Sequence, residues 1–477
     1  MVKGALTGAA ISGLMKKMTL GLNHLEEPIA VLTSDARNAE TLHINSRELK
    51  RQIFIEGQKS DHIFNSREVD EIKQSLCDAA EASGNVFKTY LRVAPFDNGV
   101  EIDMGDANHT RCRLIAGKVE IVTAGSGVLF TRPSALHPFV SPAESGDINE
   151  LLTFLNLELD QAWLLIIWIC YTLSTPKSEH AAYPILVLIA EQGASKSTTC
   201  KLIIRSLLDP SALGIQGFTG SRQDIVLASK HAHLLVYDNM RYLSRKLSDT
   251  LCIASTGGND PTRRLYTDSE LVNHPFQTPL VLNGISDFIE EPDLAQRCIR
   301  LELKAIPEKK RRDAKEFADE FNTALPSIFR GLLDLTAKIL EKLPSVKVMH
   351  PQRMLSYVRY LAAAEAILDM ENGRLQKVYR DILNDCQRDS VLSDPLAAAV
   401  YDLVNLEKKS TWKGTPAELL ARLMDINYPN TRHLPTNPIA LSKRLKAMAA
   451  PLRSQHIEIE FQRSKHRQII ITNTEAY

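Results

Sequence analysis

Lys196 followed by Ser197 is the pair of residues in this chain best suited to holding a nucleotide's phosphates. A lysine ammonium reaches β- and γ-phosphate oxygens, and a serine hydroxyl ligates the accompanying Mg²⁺. The pattern that does this asks for Gly, four residues, Gly, Lys and Ser or Thr. Aligned on Lys196 and Ser197, its first glycine becomes Ala190 and its second becomes Ser195, and one glycine, Gly193, lies inside the loop. Ala and Ser are small enough to stand in if the backbone there needs no positive φ. The phosphate-contacting set is then Gln192, Gly193, Ala194, Ser195, Lys196, Ser197 and Thr198.

An acid must share the Mg²⁺ with Ser197, and Asp238 is the candidate. It closes the apolar run HLLVYDN. Two later polar residues complete the constellation: Asn283, at the end of TPLVLNGI, and Arg297, in DLAQRCIRLEL, where Arg300 competes with it. Each piece alone has a bland reading as an Asx turn or a surface arginine. Four in order, each at or just beyond the end of an apolar strand, point to one ligand edge.

The elements that must position these residues are legible. ILVLI reads as a buried strand and SKSTTCKLIIRSLLD as a helix, so the loop amides and the helix N-terminus face the anion. From Tyr183 to about Leu303 short apolar strands alternate with helical stretches, the signature of a parallel α/β sheet. Helical patterns run from Asn149 to Thr175, and Ala162–Leu173 is too short to span a bilayer and reads as a buried core helix.

The motifs resemble the AAA+ ATPases of helicase superfamily 3, in particular phage and poxvirus-like primase–helicases and ATPases carried by mobile elements. The stretch Ser255–Asp268, STGGNDPTRRLYTD, is the most specific part of the likeness, which covers roughly residues 148 to 305. The resemblance implies ATP and Mg²⁺ as ligands, with Ser197 and Asp238 at the metal. It implies Asn283 as the sensor that orients the attacking water, and Arg297 as an arginine finger acting in a neighbouring subunit. A finger of that kind implies a homo-oligomeric ring, usually a hexamer, with Arg263 and Arg264 facing single-stranded DNA in its channel. The chain departs from the family in the loop glycines and at Asn239, grouped here with the catalytic set, where many relatives carry a second acid. An amide cannot serve as general base.

The chain has 477 residues, enough for two to four domains. The full fold expectation is α/β, an AAA+ P-loop NTPase core with a parallel sheet and four flanking parts. Residues 1–60 form a poorly defined segment, 61–140 a β-rich α+β domain, 148–305 the ATPase core with its preceding helices, 306–408 a helical region and 412–474 a winged helix. In the winged helix, Lys443, Arg444 and Lys446 lie on the helix expected in the major groove, and Arg463, Lys465 and Arg467 on the wing, for duplex DNA. Between Asn437 and Arg467 stand seven Lys or Arg against two acids, although over the whole chain Lys+Arg and Asp+Glu balance at 57 each.

Other constellations read as structural. Asp103 and Asp106 in EIDMGD form a strand end and a turn rather than a polymerase acid pair. His231 and His233 lack a third ligand, and Glu308–Glu316 reads as a solvated helix face. Seven scattered cysteines suit buried thiols in a reducing compartment. Lys16 and Lys17 interrupt the apolar start, so the expectation is a cytoplasmic chain with no membrane partner. The function expected is an ATP-dependent DNA helicase or translocase of a phage or mobile element. The alternative is an ATP-binding switch, a DNA-bound initiator or a defence regulator that hydrolyses slowly or not at all.

Overall fold

The computed structural model describes residues 3–32, 39–123, 126–178, 182–191, 193–263, 271–406, 411–426, 432–463 and 467–474. Residue contacts divide the chain into two compact units. One holds residues 1–240, 253–286 and 301–378; the other holds 241–252, 287–300 and 379–477.

A five-stranded sheet, four of whose strands lie wholly in the first unit, carries the sequence around Lys196 and Ser197. Its strands are β1 (Ile185–Ile189), β2 (Gln216–Gly217), β3 (Leu235–Met240), β4 (Leu280–Gly284) and β5 (Cys298–Glu302), in the order β2-β3-β4-β1-β5. The pairs β2–β3, β3–β4 and β1–β4 are parallel. Parallel strands covered on both faces need continuous apolar runs, and Ile185–Leu188 and Leu234–Tyr237 are buried without alternation. The helix Leu159–Leu173 is buried at every position from Ala162 to Leu173. Its Trp168 indole N–H donates to the Pro184 carbonyl just before β1, at 2.7 Å. A helix apolar all round belongs inside a core.

The order of the strands reverses beside β1. After β1 the chain leaves for the far edge at β2 and returns through β3 and β4 to lie beside β1. After β4 it crosses to β5 on β1's other side. The connections that follow β1 and β4 therefore run in opposite directions, and such a reversal opens a crevice at the carboxyl ends of the two strands.

Residues 3–60, which show no clear period in the sequence, form regular structure. A helix, Lys3–Met15, and a second, Arg47–Gln58, pack with Ser66–Ala82 against a sheet of Met18–Asn23, Pro28–Leu32, Glu40–His43 and Val86–Phe87. Lys3–Met15 is built of Gly, Ala and Thr between its larger residues, so no strong 3.6-residue period marks it. A second, antiparallel sheet of Val93–Phe96, Gly99–Asp103, Arg111–Ile115 and Lys118–Val122 follows. In it Asp103 is bound by Arg132, at 2.6 and 2.8 Å, and by Arg111. Burial would raise its carboxyl, but these guanidinium groups hold it below the usual aspartate range. Asp106 accepts from the Thr110 hydroxyl at 2.6 Å.

A buried charged cluster ties these sheets to the β1–β5 sheet. Asp209, after the helix that follows the loop, accepts from Arg92 Nε at 2.8 Å and from the His233 and Leu234 amides at 2.9 and 3.2 Å. His233, two residues before β3, is driven down to about 3 by burial and by nearby Lys177. Burial likewise lowers Lys177 to about 8, and its ammonium donates to the Ser229 and Ala232 carbonyls.

The second unit has its core in the segments Val391–Val404, Leu419–Leu423, Leu434–Leu452 and Ile457–Ile471. Three strands, Thr411–Gly414, Ile457–Arg463 and Arg467–Asn473, form an antiparallel sheet with Arg467–Asn473 in the middle. Helices Pro395–Leu406, Pro416–Ile426 and Pro438–Arg453 accompany it. The sequence TWKGTP reads as a boundary, and the structure makes its first four residues a strand. Helix Pro395–Leu406 shares this core, although its sequence runs on from the preceding helical region.

Among the described residues no helix is long and apolar enough to cross a membrane. Six of the seven cysteines are buried, and all are free thiols.

Candidate functional site

The segment from Ala190 to Ser195 turns sharply between β1 and a helical run that starts at Lys196. Gly193 takes φ +82°, as glycine can without strain. Ser195 takes φ +63°, in the left-handed region that a side chain disfavours. The condition under which Ser could replace the loop's second glycine at no cost is therefore not met. The loop keeps the left-handed turn and carries local strain of about 1–2 kcal/mol. Ala190, in the first glycine's place, needs no such conformation and is buried. Within the helical run, Thr199–Ile204 is a π-helical segment, a form frequent at functional sites.

Lys196 folds back over the loop. Its ammonium donates to the Ala190 carbonyl and, at 3.1 Å, to that of Glu191. Burial lowers its pKa, and the Asp238 carboxylate partly offsets this. The Ser197 hydroxyl donates to Asp238 Oδ2 at 3.1 Å. The two residues assigned to the metal are therefore in direct contact, although 41 positions separate them.

Asn239 explains how Asp238 is aimed. Its φ is +58°, and the β3–β4 register breaks between Tyr237 and Met240. Asn tolerates this conformation better than most residues. The kink lets the Asn239 amide donate to Asp238 Oδ1 at 2.7 Å and to Asn283 Oδ1 at 3.3 Å. Asn239's contribution is its backbone N–H, which needs no acidic side chain. Asn283 is fully buried, and its Nδ2 also donates to Cys200 Sγ at 3.6 Å. Its observed contacts orient the end of β3; a sensor role on water is an expectation from resemblance.

Lys196, Ser197, Asp238, Asn239 and Asn283 thus meet at the carboxyl ends of β1, β3 and β4. Ala194 belongs to the same turn, Thr198 to the helical run that follows it, and Gln192 lies outside the described residues. The donor set fits a magnesium–nucleotide complex. A hydroxyl and one carboxylate oxygen are the hard ligands that Mg²⁺ takes in small number, leaving positions for water and phosphate.

Arg297 is elsewhere on the chain, in the second unit. It is 7% exposed, and its guanidinium is held by Asp293, through the carboxylate and the carbonyl at 2.6 Å each. Arg300 is bound by Asp389 at 2.8 Å and by Asp287. Of the DNA candidates, Lys443 and Lys446 are exposed on helix Pro438–Arg453, and Arg467 is exposed at the start of its strand. Lys446 stands over the Phe461 ring. Arg444 is occupied instead: it donates to Asp394 at 2.7 Å and to the His433 carbonyl at 3.0 Å. Arg263 ends the strand Gly258–Arg263 and Arg463 ends Ile457–Arg463, while Arg264 and Lys465 lie outside the described residues.

Two residues stand beside the loop with no sequence signal for it. Asn156 donates to the Ala194 carbonyl at 3.5 Å, and nothing in its surroundings signals this. The sequence places Arg311 on a solvated helix face, Glu308–Glu316. The helix begins only at Ala314; Arg311 follows a single 3₁₀ turn, Glu308–Lys310, and stands beside Gly193.

Residues 148–389 match the family model of the actinomycete integrative conjugative element replication protein, and residues 396–476 match that of the AICE RepA C-terminal domain. Among solved structures, the A-form apo structure of the NrS-1 C-terminal region is 11% identical. The match covers 97% of this chain and 97% of that one, with a TM-score of 0.43. A second apo structure of the NrS-1 C-terminal region is 13% identical, with 98% and 99% covered and a TM-score of 0.40. No curated protein matches the chain.

Proposed function

The chain belongs to the family of actinomycete integrative conjugative element replication proteins, and on that premise we propose that it is an ATP-driven DNA helicase or translocase of the AAA+, superfamily-3 kind. The observation that carries the reading is the convergence of Lys196, Ser197 and Asp238 at the strand-order reversal beside β1. A lone Lys-Ser after a strand would not require an acid from another strand to meet it.

Each residue has a task on this reading. Lys196 exchanges its loop carbonyls for phosphate oxygens and supplies positive charge. Ser197 and Asp238 hold the magnesium, which, when bound, neutralises charge building on the phosphates. Asn239 and Asn283 keep Asp238 in orientation through the amide bonded to both. Phosphoryl transfer rests mainly on positioning and charge, so an amide at position 239 does not exclude turnover. Arg297, released from Asp293, serves a neighbouring subunit of a hexamer. The C-terminal three-stranded sheet with its helices is a winged helix on this reading. Lys443 and Lys446 face duplex phosphates, and Arg263 and Arg264 face single-stranded DNA.

A second reading has specific support. The strain at Ser195 and the engagement of Arg297 by Asp293 suit an ATP-binding switch on DNA that hydrolyses slowly. An ATPase assay with and without single-stranded DNA, on wild type and Lys196→Ala, separates the two. DNA-stimulated turnover lost in Lys196→Ala supports the motor. Tight ATP binding without turnover supports the switch. No binding by wild type ends both.

A further inference from the structure

We propose that Arg311 is a second cation for the nucleotide's polyphosphate, acting from the segment beyond β5 on the same loop as Lys196. This inference rests on the nucleotide-binding reading above and adds to it a residue outside the loop sequence.

The geometry begins at Gly193. A methyl group in place of its hydrogen would stand 3.4 Å from an Arg311 guanidinium nitrogen, and 3.9 Å from the guanidinium carbon. The guanidinium therefore lies beside Gly193, which turns with φ +82°. Its own backbone is fixed there: the Arg311 amide closes the 3₁₀ turn onto the Glu308 carbonyl at 3.2 Å.

The neighbouring arginine supplies the contrast. Arg312 is bound to Glu320, with its face over the Phe317 ring. Among the described residues Arg311 has neither a carboxylate nor a carbonyl partner. A solvated arginine with no task would be expected to lie free of the loop or to pair with the acids around it, Glu308, Asp313 and Glu316. Arg311 is exposed, yet it places an unpaired charge beside a loop whose other cation, Lys196, is engaged with loop carbonyls. A planar guanidinium can take two phosphate oxygens at once. It would add to a loop that has lost two glycines, and with Ser195 strained, the charge its altered backbone needs.

The test is titration calorimetry of AMP, ADP and ATP with Mg²⁺ into the full chain. The proteins are wild type, Arg311→Ala, Arg311→Lys, Arg312→Ala and Lys196→Ala, each with a thermal melt to establish folding. A charge-assisted contact predicts that Arg311→Ala weakens ATP binding roughly ten- to a hundredfold. The loss should be larger for ATP than for AMP. Arg311→Lys should recover part of it, and Arg312→Ala should bind as wild type does. If Arg311→Ala binds ATP like wild type while Lys196→Ala does not, the Arg311 proposal is overturned and the nucleotide site stands. If Arg312→Ala loses as much as Arg311→Ala, the effect is general charge and the specific proposal is also overturned. If wild type binds none of the three, both readings fail together.

Discussion

The Ser197 hydroxyl and the Asp238 carboxylate meet at 3.1 Å, one from the helix after β1 and the other from the end of β3. On the proposed reading these are the two side chains that would share the magnesium ion. Asp238 Oδ1 is already taken by the Asn239 amide, so Oδ2 is the oxygen turned towards Ser197.

Asp238→Ala should therefore reduce Mg²⁺-dependent ATP hydrolysis at least about a hundredfold, on the scale of losing an electrostatic group at a reacting centre. Nucleotide binding through Lys196 should persist. Steady-state turnover together with calorimetry measures both, and hydrolysis that survives in Asp238→Ala would mean that the metal acid is another residue.

Ser195→Gly should relieve the left-handed conformation and stabilise the protein by about 1 kcal/mol. Ser195→Ala should give no such gain, because alanine keeps the Cβ that causes the strain. Chemical denaturation of the three proteins decides it. Equal stability of the glycine and alanine variants would show that the loop is not strained at this position.

His233 makes stability depend on acid. Its folded pKa of about 3 lies below the ordinary value of 6.5. Between those two values the unfolded chain carries a proton on this group that the native chain does not. Stability is therefore intact above pH 6.5 and falls as the pH drops towards 3, by up to about 1.4 kcal/mol per pH unit from this residue. Urea melts from pH 7 to 4 should show a shallower fall in His233→Gln than in wild type. Parallel curves would contradict a buried neutral imidazole.

On the helix Pro438–Arg453, reversing Lys443 and Lys446 to Glu should weaken duplex binding and flatten its salt dependence. Each lost phosphate contact lowers the slope of log K against log salt by about one. Arg444→Ala should leave that slope unchanged and cost less than about 1 kcal/mol of stability, since its partner is the half-exposed Asp394. A slope that changes with Arg444 alone would return it to the DNA face.

Arg297 tests the ring. Arg297→Ala should bind ATP normally and lose turnover by about 10³-fold or more, as arginine fingers do. Mixed with Lys196→Ala, it should regain part of the activity, because some interfaces then pair an intact loop with an intact arginine. Sedimentation with ATP reads the assembly directly. A monomer with no recovery on mixing would leave the switch reading in place of the motor.

The sequence by itself determined the elements around the site. Apolar runs of strand length ending in polar residues located β1, β3 and β4. The helical run after Lys196 followed from its period, and Ala162–Leu173 read as buried because it is apolar all round. These signals are local, so they survive in one dimension. The tertiary structure alone decided what depends on distant partners. Strand order β2-β3-β4-β1-β5 brought Asp238 to Ser197 and Asn283 to Asn239, and no local pattern encodes that order. Positive φ is set at Ser195 by the turn after β1 and at Asn239 by the register break in β3, and neither is fixed by residue type alone. Arg311 and Arg312 are identical neighbours in sequence. One binds Glu320 and the other stands beside Gly193, because the backbone is extended at Arg311 and successive side chains then point to opposite sides.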